Sequence, residues 1–226
     1  MANSAAYLDA MGITRWVRRG APDPLRAGAD QATAGDEDRA GELARLADQV
    51  AACTQCGLCE NRKRTVFGVG DPYAEWMIVG EGPGEQEDLQ GEPFVGPAGR
   101  LLNNMLRAVG LSREQVYIAN IVKCRPPNNR EPRPEEVAAC FPYLRRQIEL
   151  VQPRLILAVG RVAAQNLLGV DSTLGRMRGR VYQVADTGTP VVVTYHPAYL
   201  LRSPQQKRKA WEDLCFARRV VSEEAA

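Results

Sequence analysis

Three short segments hold most of the side chains that could do chemistry. The first, residues 80–91, sets Glu81, Glu85, Glu87 and Asp88 in a Gly- and Pro-rich run. The second begins at Asn120, and the third at His196, the chain's single histidine. Carboxylates can orient water or move protons, an amide offers one donor face and one acceptor face, and imidazole supplies charge or a hydrogen bond near neutral pH. The glycines invite a nucleotide-loop reading, but Glu85 stands where a dinucleotide fingerprint needs its third Gly. Pro97 and Ala98 follow the Gly91/Gly96 pair where a Walker motif needs Lys and Ser or Thr. One histidine excludes a two-histidine metal centre and the His-x-Glu motif of zinc deaminases. A plainer reading stays open, in which the acids are solvated on a tight strand-to-helix turn and the histidine is structural.

The six cysteines form a second candidate set. Cys53, Cys56 and Cys59 are clustered, Cys124 and Cys140 follow at wide spacing, and Cys215 falls inside the last expected helix. Structural zinc commonly uses two short Cys pairs, and only one short group exists here. A long-range four-thiolate iron–sulfur site is therefore at least as good a reading as zinc, with buried unliganded thiols as the third.

The elements that must position these groups follow from periodicity. Apolar runs predict strands at 76–79, 116–119, 155–159 and 191–194. Helical periodicity predicts helices near 41–52, 98–109, 134–150, 161–168 and 206–221. Strands alternating with helices imply a parallel sheet covered on both faces, and such sheets bind ligands beyond the C-terminal strand ends. The residues just after the strands are 80–84, Asn120, Gly160 and 195–197, so the active site is expected there. The 226 residues fit one domain plus a tail: residues 1–40 are expected to be a flexible tail and 41–222 the domain. With 29 basic and 27 acidic residues the net charge is only +2, so any nucleic-acid surface must be a local patch. The chain lacks an apolar run of bilayer length and a signal-peptide pattern, which predicts a cytoplasmic protein with no membrane association. It is also expected to be a monomer.

Taken together, residues 80–102 (GEGPGEQEDLQGEPFVGPAGRLL), 120–127 (NIVKCRPP) and 196–202 (HPAYLLR) closely resemble the family-four, iron–sulfur uracil-DNA glycosylases. The resemblance spans about residues 43–220. It implies a three-layer α/β/α fold with a central four-stranded parallel sheet. It also implies a monofunctional enzyme that hydrolyses the N-glycosidic bond of uracil in single- and double-stranded DNA and so initiates base excision repair. By position, Cys53, Cys56, Cys124 and Cys140 match the ligands of the family's 4Fe–4S cluster, and Cys59 is an extra thiol beside them.

The same resemblance assigns roles at the base-binding site. Phe94 matches the stacking platform, Asn120 the amide that reads uracil against cytosine, and Glu87, with the 83–84 turn, the wall facing the C5 position. His196 would donate to uracil O2. Glu81 and Glu87 are both candidates for positioning the water, and Gly82 stands where other superfamily members carry Asp. Leu200 is the expected wedge into the base stack, with Leu201 the fallback. Lys123, Arg125, Arg130 and Arg133 form one stretch for phosphate contact, and Arg202, Lys207, Arg208 and Lys209 a second. A class that traps DNA covalently through a histidine on an arginine-rich insertion is a competing expectation, as is a non-enzymatic iron–sulfur DNA-binding module. Residues 7–19 resemble the N-terminal peptide of the clamp-loader psi subunit, which implies a tether to the replication clamp loader.

Overall fold

A computed structural model describes residues 34–223. The segment at 7–19 and its clamp-loader expectation lie outside the described residues. The first helix among the described residues, α1 (Ala34–Ala51), starts earlier than the periodicity indicates. Residues 34–40 carry little apolar periodicity, so composition alone reads them as tail.

The described residues form one six-stranded sheet with strand order β1-β3-β2-β4-β6-β5. Its centre is the expected parallel four: β2 (Trp76–Gly80), β3 (Tyr117–Asn120), β4 (Leu155–Val159) and β6 (Pro190–Thr194). Both β2 and β4 are buried at every position, as strands covered on two faces must be. Two antiparallel edges were not legible in the sequence: β1 (Val69–Gly70) beside β3 and β5 (Val181–Gln183) beside β6. Strands of two and three residues are too short to show a period.

Side chains alternate between the two faces. Met77, Val79, Ile156 and Ala158 meet α1, α4 (Pro134–Val151) and α5 (Arg161–Leu168) through Leu46, Leu144 and Leu167. Trp76, Ile78, Leu155 and Leu157 meet α3 (Pro97–Ala108) and α8 (Lys207–Glu223) through Leu102, Leu106 and Leu214. The result is a three-layer α/β/α arrangement. Three shorter helices complete it: α2 (Glu85–Gln90), α6 (Leu174–Met177) and α7 (Pro197–Arg202). Because β3 and β4 flank β2 on opposite sides, the chain reverses its winding there, and the crevice opens at the carboxyl ends of these strands. No helix among the described residues is long and apolar enough to cross a membrane.

Candidate active site

A cleft of about 450 Å³ opens at those strand ends, a size that suits a small ligand. It brings together Glu81 after β2, Asn120 at the end of β3 and His196 after β6, and adds Gly82, Glu87, Phe94 and Arg202. Seven residues singled out from separate stretches of sequence thus line one surface.

Asn120 forms the floor. It is 2% exposed, and its Oδ1 is buried without a hydrogen-bond partner. Such an orphaned acceptor is costly unless something else satisfies it. Gly80, paired with Asn120 in the sheet, makes room for it: a Cβ at Gly80 would stand 2.4 Å from Asn120 Oδ1 and 2.8 Å from Phe94 Cζ. Phe94 itself sits at φ 54°, a conformation that costs a non-glycine residue energy. Arg113 donates to the carbonyl oxygens of Pro93 and Phe94, at 2.5 and 3.3 Å, and holds that turn. The Phe94 and His196 rings lie 5.6 Å apart, centroid to centroid, at 31°.

His196 caps α7. Its Nδ1 accepts a hydrogen bond from the Ala198 backbone N–H at 3.1 Å. A neutral imidazole in that arrangement carries its proton on Nε2. Burial, with the nearby Arg202 charge adding to it, pulls the His196 pKa down to about 4, so the ring is neutral at physiological pH. Gly160, at φ 102°, lies beneath it, and a Cβ there would come within 3.1 Å of the His196 Cβ.

The two candidate carboxylates differ. Among the described residues nothing hydrogen-bonds the Glu81 carboxyl, and burial, with Glu131 adding to it, pushes its pKa up to about 7. Glu87 is occupied: its Oε1 accepts from the backbone N–H groups of Val95 at 3.0 Å and Gly96 at 3.1 Å. It pins the turn that presents Phe94 and leads into α3.

Two expectations need correction. Lys123 is 1% exposed and cannot reach phosphate; its Nζ donates to Asn120 O at 2.9 Å and Gln147 Oε1 at 2.5 Å. Leu200 is 1% exposed and packs with Leu102 and Leu214 under the sheet, whereas Leu201 is 44% exposed. Of the other basic candidates, Arg125 donates to Asn129 Oδ1 at 2.8 Å and Arg130 is paired with Glu136 at 2.6 Å. Arg202 is exposed at the cleft.

A separate hollow gathers Cys53, Cys56, Cys59, Cys124 and Cys140 from three distant parts of the chain. Cys124 and Cys140 are buried. Arg62 donates to Cys124 Sγ at 3.3 Å and to Cys53 O at 2.8 Å, and the Lys123 backbone N–H donates to Cys140 Sγ at 3.2 Å. Burial pushes the Cys140 thiol up to about 11 and raises that of Cys124 as well. Among the described residues, no three Cys, His, Asp or Glu side chains converge closely enough to hold a single metal ion. Arg62 and Tyr143, which also lines the hollow, were missed in the sequence because no spacing rule ties them to the cysteines.

Residues 67–215 match the family model described as the Uracil DNA glycosylase superfamily. The type-4 uracil-DNA glycosylase of Archaeoglobus fulgidus is 47% identical over 171 residues, covering 73% of this chain and 86% of that protein. That of Thermotoga maritima is 44% identical over 182 residues, covering 79% and 94%. The type-5 uracil-DNA glycosylase of Pyrobaculum aerophilum is 34% identical over 150 residues, covering 58% and 64%. The chain belongs to the type-4 uracil-DNA glycosylases.

Proposed function

We propose that this chain excises uracil from DNA by hydrolysis of the N-glycosidic bond and so begins base excision repair. The observation that carries the reading is the orphaned Oδ1 of Asn120 on the floor of the cleft. Uracil presents N3–H and O4 along one edge, a donor and an acceptor, which satisfy an amide's oxygen and nitrogen together. Cytosine presents a bare N3 there, which would leave the buried oxygen facing another acceptor. A closed site discriminates strongly against such a mismatch.

The base must leave the helix to reach this floor, at a cost of a few kcal/mol. Phe94 stacks on the extruded ring, and Glu87 keeps Phe94 in place through the Val95 and Gly96 amides. Bond cleavage puts negative charge on uracil O2 and positive charge on the sugar. The neutral His196 donates from Nε2 to O2, a preorganised donor that needs no reorganisation as charge develops. Glu81, whose carboxyl has no hydrogen-bond partner among the described residues, orients the attacking water and faces the developing sugar cation. Leu201 takes the wedge role that buried Leu200 cannot, and Arg202 and Arg125 neutralise phosphates.

Cys53, Cys56, Cys124 and Cys140 would hold a 4Fe–4S cluster. Thiols that surround one hollow without converging on a point suit several irons better than one, and Arg62 with the Lys123 N–H offsets sulfur charge. When bound, the cluster supplies metal–thiolate links that tie the Cys53–Cys56 segment to the loop after β3 and to α4.

The test is release of free base from defined single- and double-stranded oligonucleotides, with cytosine strands as controls. Free uracil with no stable protein–DNA adduct on a denaturing gel is expected. No free uracil, or a persistent adduct, would overturn hydrolysis.

A further inference from the structure

We infer that Tyr199 is a stacking platform for the nucleobase adjacent to the extruded uracil, an inference that rests on the uracil-excision reading above. Tyr199 lines the cleft but is 37% exposed, whereas Phe94 in the same cleft is 6% exposed. A purely structural aromatic would gain more by burying its ring. Tyr199 is nevertheless held rigidly. Its ring stacks on Tyr195 with centroids 5.4 Å apart and planes at 13°. The Arg178 guanidinium lies over Tyr195, 4.7 Å from the ring centre.

Arg178 in turn is anchored in the interior. It donates through Nε and NH2 to the two oxygens of Asp213, at 2.7 and 2.9 Å, and through NH2 to Lys209 O at 2.7 Å. Asp213 is 3% exposed and also accepts from Thr194 Oγ1 at 2.8 Å, at the end of β6. The stack of Arg178, Tyr195 and Tyr199 therefore runs from a buried ion pair out to the lip of the cleft. A ring fixed in this way loses little freedom when a ligand settles on it, which is the advantage of preorganisation.

The neighbours of Tyr199 indicate the ligand. On α7, residues 199 and 202 are three apart and share a face, and both line the cleft. An aromatic plane beside an exposed arginine is how proteins hold single-stranded nucleic acid: the ring takes a base and the cation its phosphate. A flat aromatic face accepts any of the four bases, so the contact would strengthen binding without reading sequence.

The probe is a single-stranded oligonucleotide carrying 2′-fluoro-2′-deoxyuridine, whose electron-poor sugar resists cleavage. The base on one side or the other is replaced by a tetrahydrofuran abasic unit, and Kd is read by fluorescence anisotropy. For the wild-type protein, removing the base on the contacted side should weaken binding about 5- to 140-fold, the range of one base–aromatic stack. Tyr199→Ala should weaken binding to the intact strand by a similar factor and be indifferent to the abasic unit, while Tyr199→Phe should behave as wild type. The platform is wrong if wild-type protein loses less than about twofold on both abasic strands. It is equally wrong if Tyr199→Ala loses the same factor on intact and abasic strands. Wild-type protein that releases no uracil from an ordinary deoxyuridine strand would instead sink the underlying reading.

Discussion

The cleft and the thiol hollow both gather ionisable side chains, but Asn120 and Glu81 in the one and Cys124 and Cys140 in the other are treated in opposite ways. In the hollow, Cys124 and Cys140 each receive a hydrogen bond, from Arg62 and from the Lys123 N–H. In the cleft, the Asn120 Oδ1 has no partner and the Glu81 carboxyl has none among the described residues. A resident group is present whenever the protein is folded, so its surroundings can be matched to it permanently. A visiting ligand needs atoms left unsatisfied until it arrives, and the fold carries their cost in the meantime. The two pockets also share a strut. Lys123 touches Cys140 with its backbone and Asn120 O with its side chain, so the floor of the cleft and the wall of the hollow hang on one residue.

The largest expected effect breaks the hollow. Cys140→Ser should lose bound iron and the brown colour, and should destabilise the domain by several kcal/mol, because metal binding of this kind is folding free energy. Cys59→Ser should keep the colour and the iron. Iron quantitation and a thermal melt on both variants decide it, and a colourless Cys59→Ser protein beside a brown Cys56→Ser protein would reverse the ligand assignment.

Breaking the cleft should act on rate instead. Replacing His196 with Ala removes a preorganised donor and is expected to cost about 10²- to 10³-fold in single-turnover excision. Its thermal melt should move little compared with that of Cys140→Ser. A loss smaller than tenfold would remove His196 from the charge-stabilising role.

Glu81 sharpens the comparison through pH. Its pKa of about 7 means that the carboxylate is lost as pH falls through neutrality, so excision should decline below about pH 7. His196, held near 4, contributes nothing to that limb. Glu81→Gln should lower the plateau rate more than tenfold and abolish the limb. The same shift works in reverse on stability. A folded-state pKa above the ordinary 4.5 gives stability that is complete below pH 4.5 and lost as pH rises to about 7. Glu81→Gln should therefore be more stable than wild type at pH 8, by about 1–3 kcal/mol, and equal to it at pH 4.5. An unchanged pH–rate profile would pass the water-positioning role to another group.

How much of this was legible in the sequence depended on the range of the interaction. The run 155–159 is apolar throughout and reads as a buried strand without further information. Glu81, Asn120 and His196 were legible as a group because each follows such a run, and strand ends in a parallel sheet meet at one edge. Glu87 and Glu81 are indistinguishable in the sequence, since the engagement of Glu87 with the Val95 and Gly96 amides depends on how a turn folds back. Leu200 and Leu201 could not be told apart, because α7 is six residues long and two adjacent leucines in it carry no usable period. Lys123 looked like part of a basic stretch because its partner, Gln147, lies on α4, out of reach of any local pattern.

Lys123 supplies a clean contrast to the smallest effect, that of Arg202. Arg202 is exposed at the lip of the cleft, where a cation would neutralise a phosphate and release a counterion. Replacing it with Ala should weaken DNA binding several-fold and reduce the slope of log K against log salt by about one. Lys123 has the same charge but no path to DNA. Replacing it with Ala leaves Gln147 Oε1 and Asn120 O without their buried donor, which should destabilise the domain by about 2–3 kcal/mol. The salt slope of Lys123→Ala should match that of wild type. Measuring Kd across a salt series for both variants separates the roles. Equal slopes for Arg202→Ala and wild type would take Arg202 out of the DNA footprint, and a reduced slope for Lys123→Ala would mean that the buried lysine opens toward DNA when the strand binds.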